Sequence, residues 1–251
     1  MLGLGLALGF IGFGGAGFIT ALLILVFHVP VHLAFGTALG AMFATAATGG
    51  WSHLREGNVD LVAAVQIGLA GIVGAYLGGS LALATGASHL KTISGLVLMV
   101  NSGIMYLRTR MVGVLDRSGS PTPPLREWHR QLPEHLAIGL LCGLGSGLLG
   151  IGVAPWIQVG LLMLKGTDLR TTIGTTMLAL ALMSLSGAVR FAQGGQVSAG
   201  LLASVLLGLV VGSFVGAKFT KRAPRWLVRT GLIATPFLAG ALLILAPISE
   251  G

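Results

Sequence analysis

The sequence predicts an all-α polytopic membrane protein: two homologous repeats of about four hydrophobic segments each, inverted relative to one another, with a broken or re-entrant first helix in each repeat. Three observations carry that prediction. The 251 residues are 54% hydrophobic and only 9% charged. A soluble domain uses about 25% charged residues, so lipid is the solvent for most of this chain. Apolar stretches of roughly bilayer-spanning length fall at 2–27, 32–52, 61–85, 91–108, 134–164, 171–190, 198–218 and 226–248, and the seven acidic residues lie at their edges or between them. Finally, the second half of the chain repeats the first at a constant offset of 138 residues.

The same composition sets aside a cytosolic enzyme and a secreted domain. The net charge of +8 suits basic loops on a membrane protein as well as it suits a nucleic-acid partner. A single cysteine, Cys142, leaves no internal disulfide and no multi-cysteine metal site. Met1 to Phe27 has no basic n-region and too long an apolar run for a signal peptide.

Taken in order, the first segment (2–27) is interrupted near its middle by Gly12, Gly14, Gly15 and Gly17. The second (32–52) opens with Phe35-Gly36-Thr37. The third (61–85) follows the turn Gly57-Asn58-Val59-Asp60 and carries Gly74 and Gly78, whose spacing suits close helix packing in lipid. The fourth (91–108) completes a first repeat over 1–108. Thr109 to Pro133 holds Pro121, Pro123, Pro124, Pro133 and several arginines and reads as a linker. The second repeat, 134–251, starts with the segment 134–164, interrupted at Gly150-Ile151-Gly152-Val153-Ala154-Pro155-Trp156. Segment 171–190 opens with Ile173-Gly174-Thr175-Thr176 and ends at Arg190, and 198–218 and 226–248 follow.

The offset of 138 places Gly5, Gly9, Gly12 and Gly14 on Gly143, Gly147, Gly150 and Gly152. It also places Gly36-Thr37 on Gly174-Thr175, Gly57 on Gly195, and Val73-Gly74 on Val211-Gly212. Single glycine matches mean little here, but a gapless register over some 90 residues indicates a duplication. Duplicated halves are a common plan among secondary transporters.

Basic residues decide the orientation. If all eight segments cross, they divide 7 against 8, which is no bias. If the first segment of each repeat enters and leaves on one side, the halves become inverted and the division is 13 against 2, with only Lys91 and Arg190 on the poorer side. The expectation is therefore a multi-pass protein of the cell inner (plasma) membrane, with linker 109–133 cytoplasmic and both termini outside.

The two interruptions are the candidate site. Non-helical backbone at membrane depth is tolerated only where protein buries it or it lines a cavity. A broken helix exposes backbone N–H groups that attract anions, and glycine lets a ligand approach. Residues 12–17 and 145–150 both read G-x-G-x-x-G, but a dinucleotide site needs a preceding strand and a βαβ unit, which these apolar runs do not offer. Gly36-Thr37 and Gly174-Thr175-Thr176 add hydroxyl donors that could complete one pseudo-twofold pocket; a threonine can equally bond its own helix backbone. Arg190 is the best intramembrane positive charge, and an interfacial, snorkelling arginine is the alternative. His28, His32 and His53 lie near helix ends and could shuttle protons or anchor at the interface.

These residues resemble the TauE/SafE sulfite-exporter family. The resemblance covers nearly the whole chain and rests on the Gly12–Gly17 cluster, Gly36-Thr37, the Gly57-Asn58-Val59-Asp60 turn and the Gly74–Gly79 helix, with Gly195-Gln196-Val197-Ser198 as a weaker second copy of the turn. Val153-Ala154-Pro155-Trp156 departs from the usual glycine run. The resemblance implies movement of small sulfur-containing anions such as sulfite, sulfonates and thiosulfate-like species, in the export direction. The expected function is a secondary anion transporter, with a passive anion channel of the same architecture as the alternative. The expected substrate-binding residues are Gly12, Gly14, Gly15, Gly17, Gly36, Thr37, Gly150, Gly152, Pro155, Trp156, Gly174, Thr175, Thr176 and Arg190. No catalytic residue, metal or cofactor is expected. The expected partners are the anion, the bilayer and a possible second copy of the chain, with no nucleic acid.

Overall fold

The computed structural model describes residues 16–118, 131–165, 169–220 and 225–245. Among them it forms helices only: α1 (Ala16–Leu25), α2 (Val31–Arg55), α3 (Leu61–Ala84), α4 (Ala87–Ser118), α5 (Leu132–Leu149), α6 (Ala154–Lys165), α7 (Leu169–Gln193), α8 (Ala199–Thr220) and α9 (Arg225–Leu245). Five of these have stretches long and apolar enough to cross a bilayer: Val31–Arg55, Leu61–Ala84, Ala87–Leu107, Leu132–Leu149 and Leu169–Gln193. The expected glycines Gly12, Gly14 and Gly15, much of the linker and both ends of the chain lie outside the described residues.

Local chemistry explains where the helices begin and end. The Asp60 carboxylate accepts from the Ala63 N–H at 3.0 Å and caps α3. Pro133 sits in the first turn of α5, where its missing N–H costs nothing, with Glu134 beside the positive end of the helix. α2 and α7 end in the same way. Gly57 (φ 72°) and Gly195 (φ 70°) turn left-handed, and the N–H groups of Asn58 and Gln196 return to the carbonyls of His53 and Phe191 at 2.9 and 2.8 Å. α4 continues to Ser118, into the stretch read as linker. Met111 to Leu115 is apolar enough to sustain it, and the first proline comes only at Pro121.

The burial pattern is that of a protein solvated by lipid. On α3 the exposed side chains include Val65, Leu69, Val73, Leu77 and Leu81. The buried face carries Ala63, Ala64, Gly68, Gly71, Gly74, Ala75 and Gly78. Small residues turn inward because helices in lipid gain by close backbone approach, not by hiding apolar surface from water. α5 lies parallel to α3 along this face. Gly74 and Gly78 press on the backbone of Leu140, Leu144 and Leu148, and Gly139, Gly143 and Gly147 press back on Ile67, Gly71 and Ala75. A methyl group at any of these five glycines would strike backbone atoms.

α2 and α7 pack antiparallel at the centre. Gly36 meets the Phe191–Gln196 end of α7, Gly187 meets Leu39, Gly50 meets Leu178, and Gly174 meets His53 and Asn58 at the far end of α2. α4 and α9 are also antiparallel, with Gly95 against Gly240 and Ile244, and Ser102 donating to the Ile233 carbonyl at 2.6 Å. The helices α3 and α8 start at residues 61 and 199, 138 positions apart, and α2 and α7 end at residues 55 and 193, also 138 apart.

Candidate functional site

The second glycine interruption is a sharp reversal. α5 ends at Leu149, and Gly150 (φ 61°, ψ 22°) takes the left-handed conformation that stops it. A side chain there would also collide with Phe35 of α2. The chain stays non-helical through Val153, and α6 starts at Ala154. Pro155 lies in the first turn, where no N–H is required. α6 then runs back along α5: Gly145 faces Val153 near the tip, and Gly160 faces Ile138 further down. The segment 132–165 is thus a helical hairpin whose two ends lie at one end of the bundle.

Much of the tip is buried: Leu149, Gly150, Ile151 and Val153 are buried, and Gly152 and Ala154 are half-buried. Its carbonyls are satisfied by side chains of the first half. Thr20 Oγ1 donates to the Gly150 carbonyl at 2.9 Å, Asn101 Nδ2 to that of Gly152 at 3.3 Å, and Ser94 Oγ more weakly to that of Leu149 at 3.4 Å. The Val153 carbonyl accepts from the N–H groups of Trp156 and Ile157 at 3.0 and 3.3 Å. Asn101 is held in turn by the Trp156 indole N–H, 2.9 Å from its Oδ1. No acceptor within the described residues takes the N–H groups of Ile151, Gly152, Val153 or Ala154. Buried backbone donors are almost always paired. Consecutive open N–H groups at a helix start, with the neighbouring carbonyls already engaged, are a cradle for an anion.

The structure gathers some of the expected residues here and separates others. Gly150, Gly152, Pro155 and Trp156 form the tip. Gly17 abuts Ile151, so the start of α1, immediately after the first glycine interruption, touches the second. Gly36 and Thr37 follow Phe35, which packs on Gly150. Gly174, Thr175 and Thr176 are at the other end of the bundle. Gly36 meets Gln196, whereas Gly174 meets Asn58, and α2 separates these levels by about 25 Å at 1.5 Å per residue. The two Gly–Thr elements do not share one pocket.

The hydroxyls of Thr37 and Thr176 donate to their own helices, to Leu33 and Thr172, each at 2.7 Å. Thr175 Oγ1 accepts from the Asp60 N–H at 2.9 Å and ties α7 to the start of α3. Arg190 is occupied by α3: its Nε lies 2.7 Å from Ser80 Oγ, and its guanidinium sits 5.6 Å from the centre of the Tyr76 ring. Those partners are on a neighbouring helix, not at the tip.

Thr20, Ser94 and Asn101 were not singled out by charge, motif or glycine content. The signal that marks them is a hydroxyl or amide inside a membrane-length apolar run, where an unpaired polar group is costly.

The sequence profile described as sulfite exporter TauE/SafE matches residues 1–243. The chain belongs to the TauE/SafE family. One relative, "Probable membrane transporter protein YdhB" of Bacillus subtilis (strain 168), is 36% identical over 241 residues, 96% of each chain. A "Probable membrane transporter protein" of Xylella fastidiosa (strain 9a5c) is 29% identical over 87% of this chain and 81% of its own length. No solved structure matches. TauE/SafE proteins form a membrane transporter family, and the chain is a multi-pass membrane protein of that family, with several apolar helices to cross the bilayer.

Proposed function

We propose that this TauE/SafE protein is a secondary transporter, not an enzyme, that exports small sulfur-containing anions across the bacterial inner membrane. The tip of the α5–α6 hairpin is its anion site. The observation that carries this reading is the polarity of the tip. Its carbonyls are held by Thr20, Asn101 and Ser94, which leaves open N–H groups to face the ligand. Gly150 and Gly152 keep the backbone accessible, and Pro155 and Trp156 shape the approach. Neutral donors can hold an anion without trapping it as a fixed charge would. Gly36 and Thr37 adjoin this site. Gly174, Thr175, Thr176 and Arg190 make their contacts away from the tip and are given no part in binding.

The reading extends to architecture. Two inverted repeats, 1–108 and 134–251, joined by a cytoplasmic linker, are supported by antiparallel packing between helices related by the 138-residue offset: α2 with α7, and α4 with α9. Exposed Arg55 and Arg170 lie at the end of the bundle where α5 begins, and Lys91 and Arg190 lie at the other. Retaining basic residues on the cytoplasmic side puts the linker inside and both termini outside. A negative interior expels an anion unaided, by about 2.3 kcal/mol per charge per 100 mV, so export needs no coupled ion.

The test is flux by the purified protein in liposomes. Uptake of sulfite or a simple alkanesulfonate should saturate and show counter-flow. Linear flux without counter-flow would favour the passive channel, and no flux of any sulfur oxyanion would reject the reading.

A further inference from the structure

One turn to either side of the hairpin tip is a polar side chain that no group among the described residues satisfies. Ser146, four residues before Gly150, is fully buried, and its Oγ has no hydrogen-bond partner. Gln158, four residues after Ala154, is fully buried, and neither its Nε2 nor its Oε1 has a partner. Buried side-chain amides are almost always paired, and the cost of leaving one unpaired rises in a medium without water. Residues four apart on a helix share a face, and long helical side chains lean back towards the N-terminus. Gln158 therefore overlies the first turn of α6, above the open N–H groups of the tip.

A second observation points the same way. The residue 138 positions earlier is Thr20, four residues into α1, and Thr20 does reach the tip, through its bond to the Gly150 carbonyl. The position is fully buried in both halves. In the first half the tip itself supplies the partner. In the second half no group among the described residues does.

We propose that Gln158 contacts the transported anion and sets its chemical class. The proposal rests on the tip being the anion site. The amide presents a donor and an acceptor side by side. Its Nε2 donates to an anionic oxygen held by the backbone N–H groups. Its Oε1 needs a donor from the ligand and would repel a bare oxyanion. The fitting substrate is a singly charged sulfur oxyanion that carries an O–H or N–H of its own, such as hydrogensulfite or a hydroxyalkanesulfonate.

The pair 2-hydroxyethanesulfonate and ethanesulfonate isolates the claim, because the two share one charge and differ by one hydroxyl. The purified full-length protein in liposomes should move the hydroxylated anion about tenfold more efficiently, the worth of one hydrogen bond between a buried amide and its ligand. Gln158→Met, close in volume and apolar, should slow both anions and bring their ratio close to one. It should also raise the melting temperature of the ligand-free protein in detergent, because an unsatisfied buried amide has been removed. A ratio near one in the wild type, or a tenfold ratio retained in Gln158→Met, overturns the role of Gln158 while leaving transport intact. No flux of either anion by the wild type overturns the transport reading and this proposal together. If Gln158→Met does not accumulate, thermal shifts of the wild-type protein decide: a larger shift with 2-hydroxyethanesulfonate supports the proposal, and equal shifts overturn it.

Discussion

At the scale of single residues, the hairpin tip depends on a few neutral polar side chains. Thr20→Val leaves the buried Gly150 carbonyl without its donor, and Asn101→Leu leaves both the Gly152 carbonyl and the Trp156 indole unpaired. Each orphaned group costs about 1–3 kcal/mol. Both variants should melt earlier in detergent, Asn101→Leu more so, and both should lose flux. Thr37→Val should be nearly silent in melting and flux alike, since the Thr37 hydroxyl bonds only its own helix at Leu33. Gly150→Leu combines a left-handed backbone with a collision against Phe35 and should abolish flux. These residues differ in how legible they were. Glycines announce the tip from sequence, because a run of them inside an apolar stretch has few other uses. Asn101 and Gln158 do not announce themselves, because whether a lone amide meets lipid, a helix or a ligand is settled only by packing. Arg190 shows the reverse: its charge made it conspicuous, and the fold gives it to Ser80 and Tyr76.

At the scale of elements, hydropathy located the helices well. The run 32–52 became Val31–Arg55, and 61–85 became Leu61–Ala84, because membrane length and apolar content leave little freedom. The run 134–164 divided at its glycines into α5 and α6. α4 runs past Arg108 to Ser118, since amphipathic residues there continue a helix as readily as they leave one. Partner choice between helices was not legible. Gly74 and Gly78 signal close packing, but only the structure shows that their partner is α5. That contact has a sharp steric test. Gly143→Leu drives a side chain into the backbone of Gly71 and Ala75. Backbone cannot yield as a side chain does, so the cost should exceed the 1–3 kcal/mol of ordinary overpacking. Gly103→Leu, whose added Cβ meets nothing within 4 Å, is the control. Thermal melts and size-exclusion profiles should separate the two clearly.

At the scale of the whole molecule, the arrangement of the halves can be read with two cysteines. Glu56 and Gln193 are exposed at the ends of α2 and α7. In a Cys142→Ala background, Glu56→Cys should react with a membrane-impermeant thiol reagent only from the cytoplasm, and Gln193→Cys only from outside. Reaction from one and the same side would defeat the inverted arrangement.

The contact between α2 and α7 reaches further still. Gly36 is seated on the Gln196 turn and Gly174 on the Asn58 turn, so each half offers the other the same knob and the same socket. A surface of that kind is complementary to itself, as in a twofold dimer. Two copies of a half-length ancestor, inserted in opposite orientations, could have met through it before any linker joined them. On the proposed inverted-repeat reading, fusion would free the two copies to diverge. One half could keep a threonine that closes the tip while the matching position in the other became a glutamine left open, a division of labour that a symmetric dimer cannot reach.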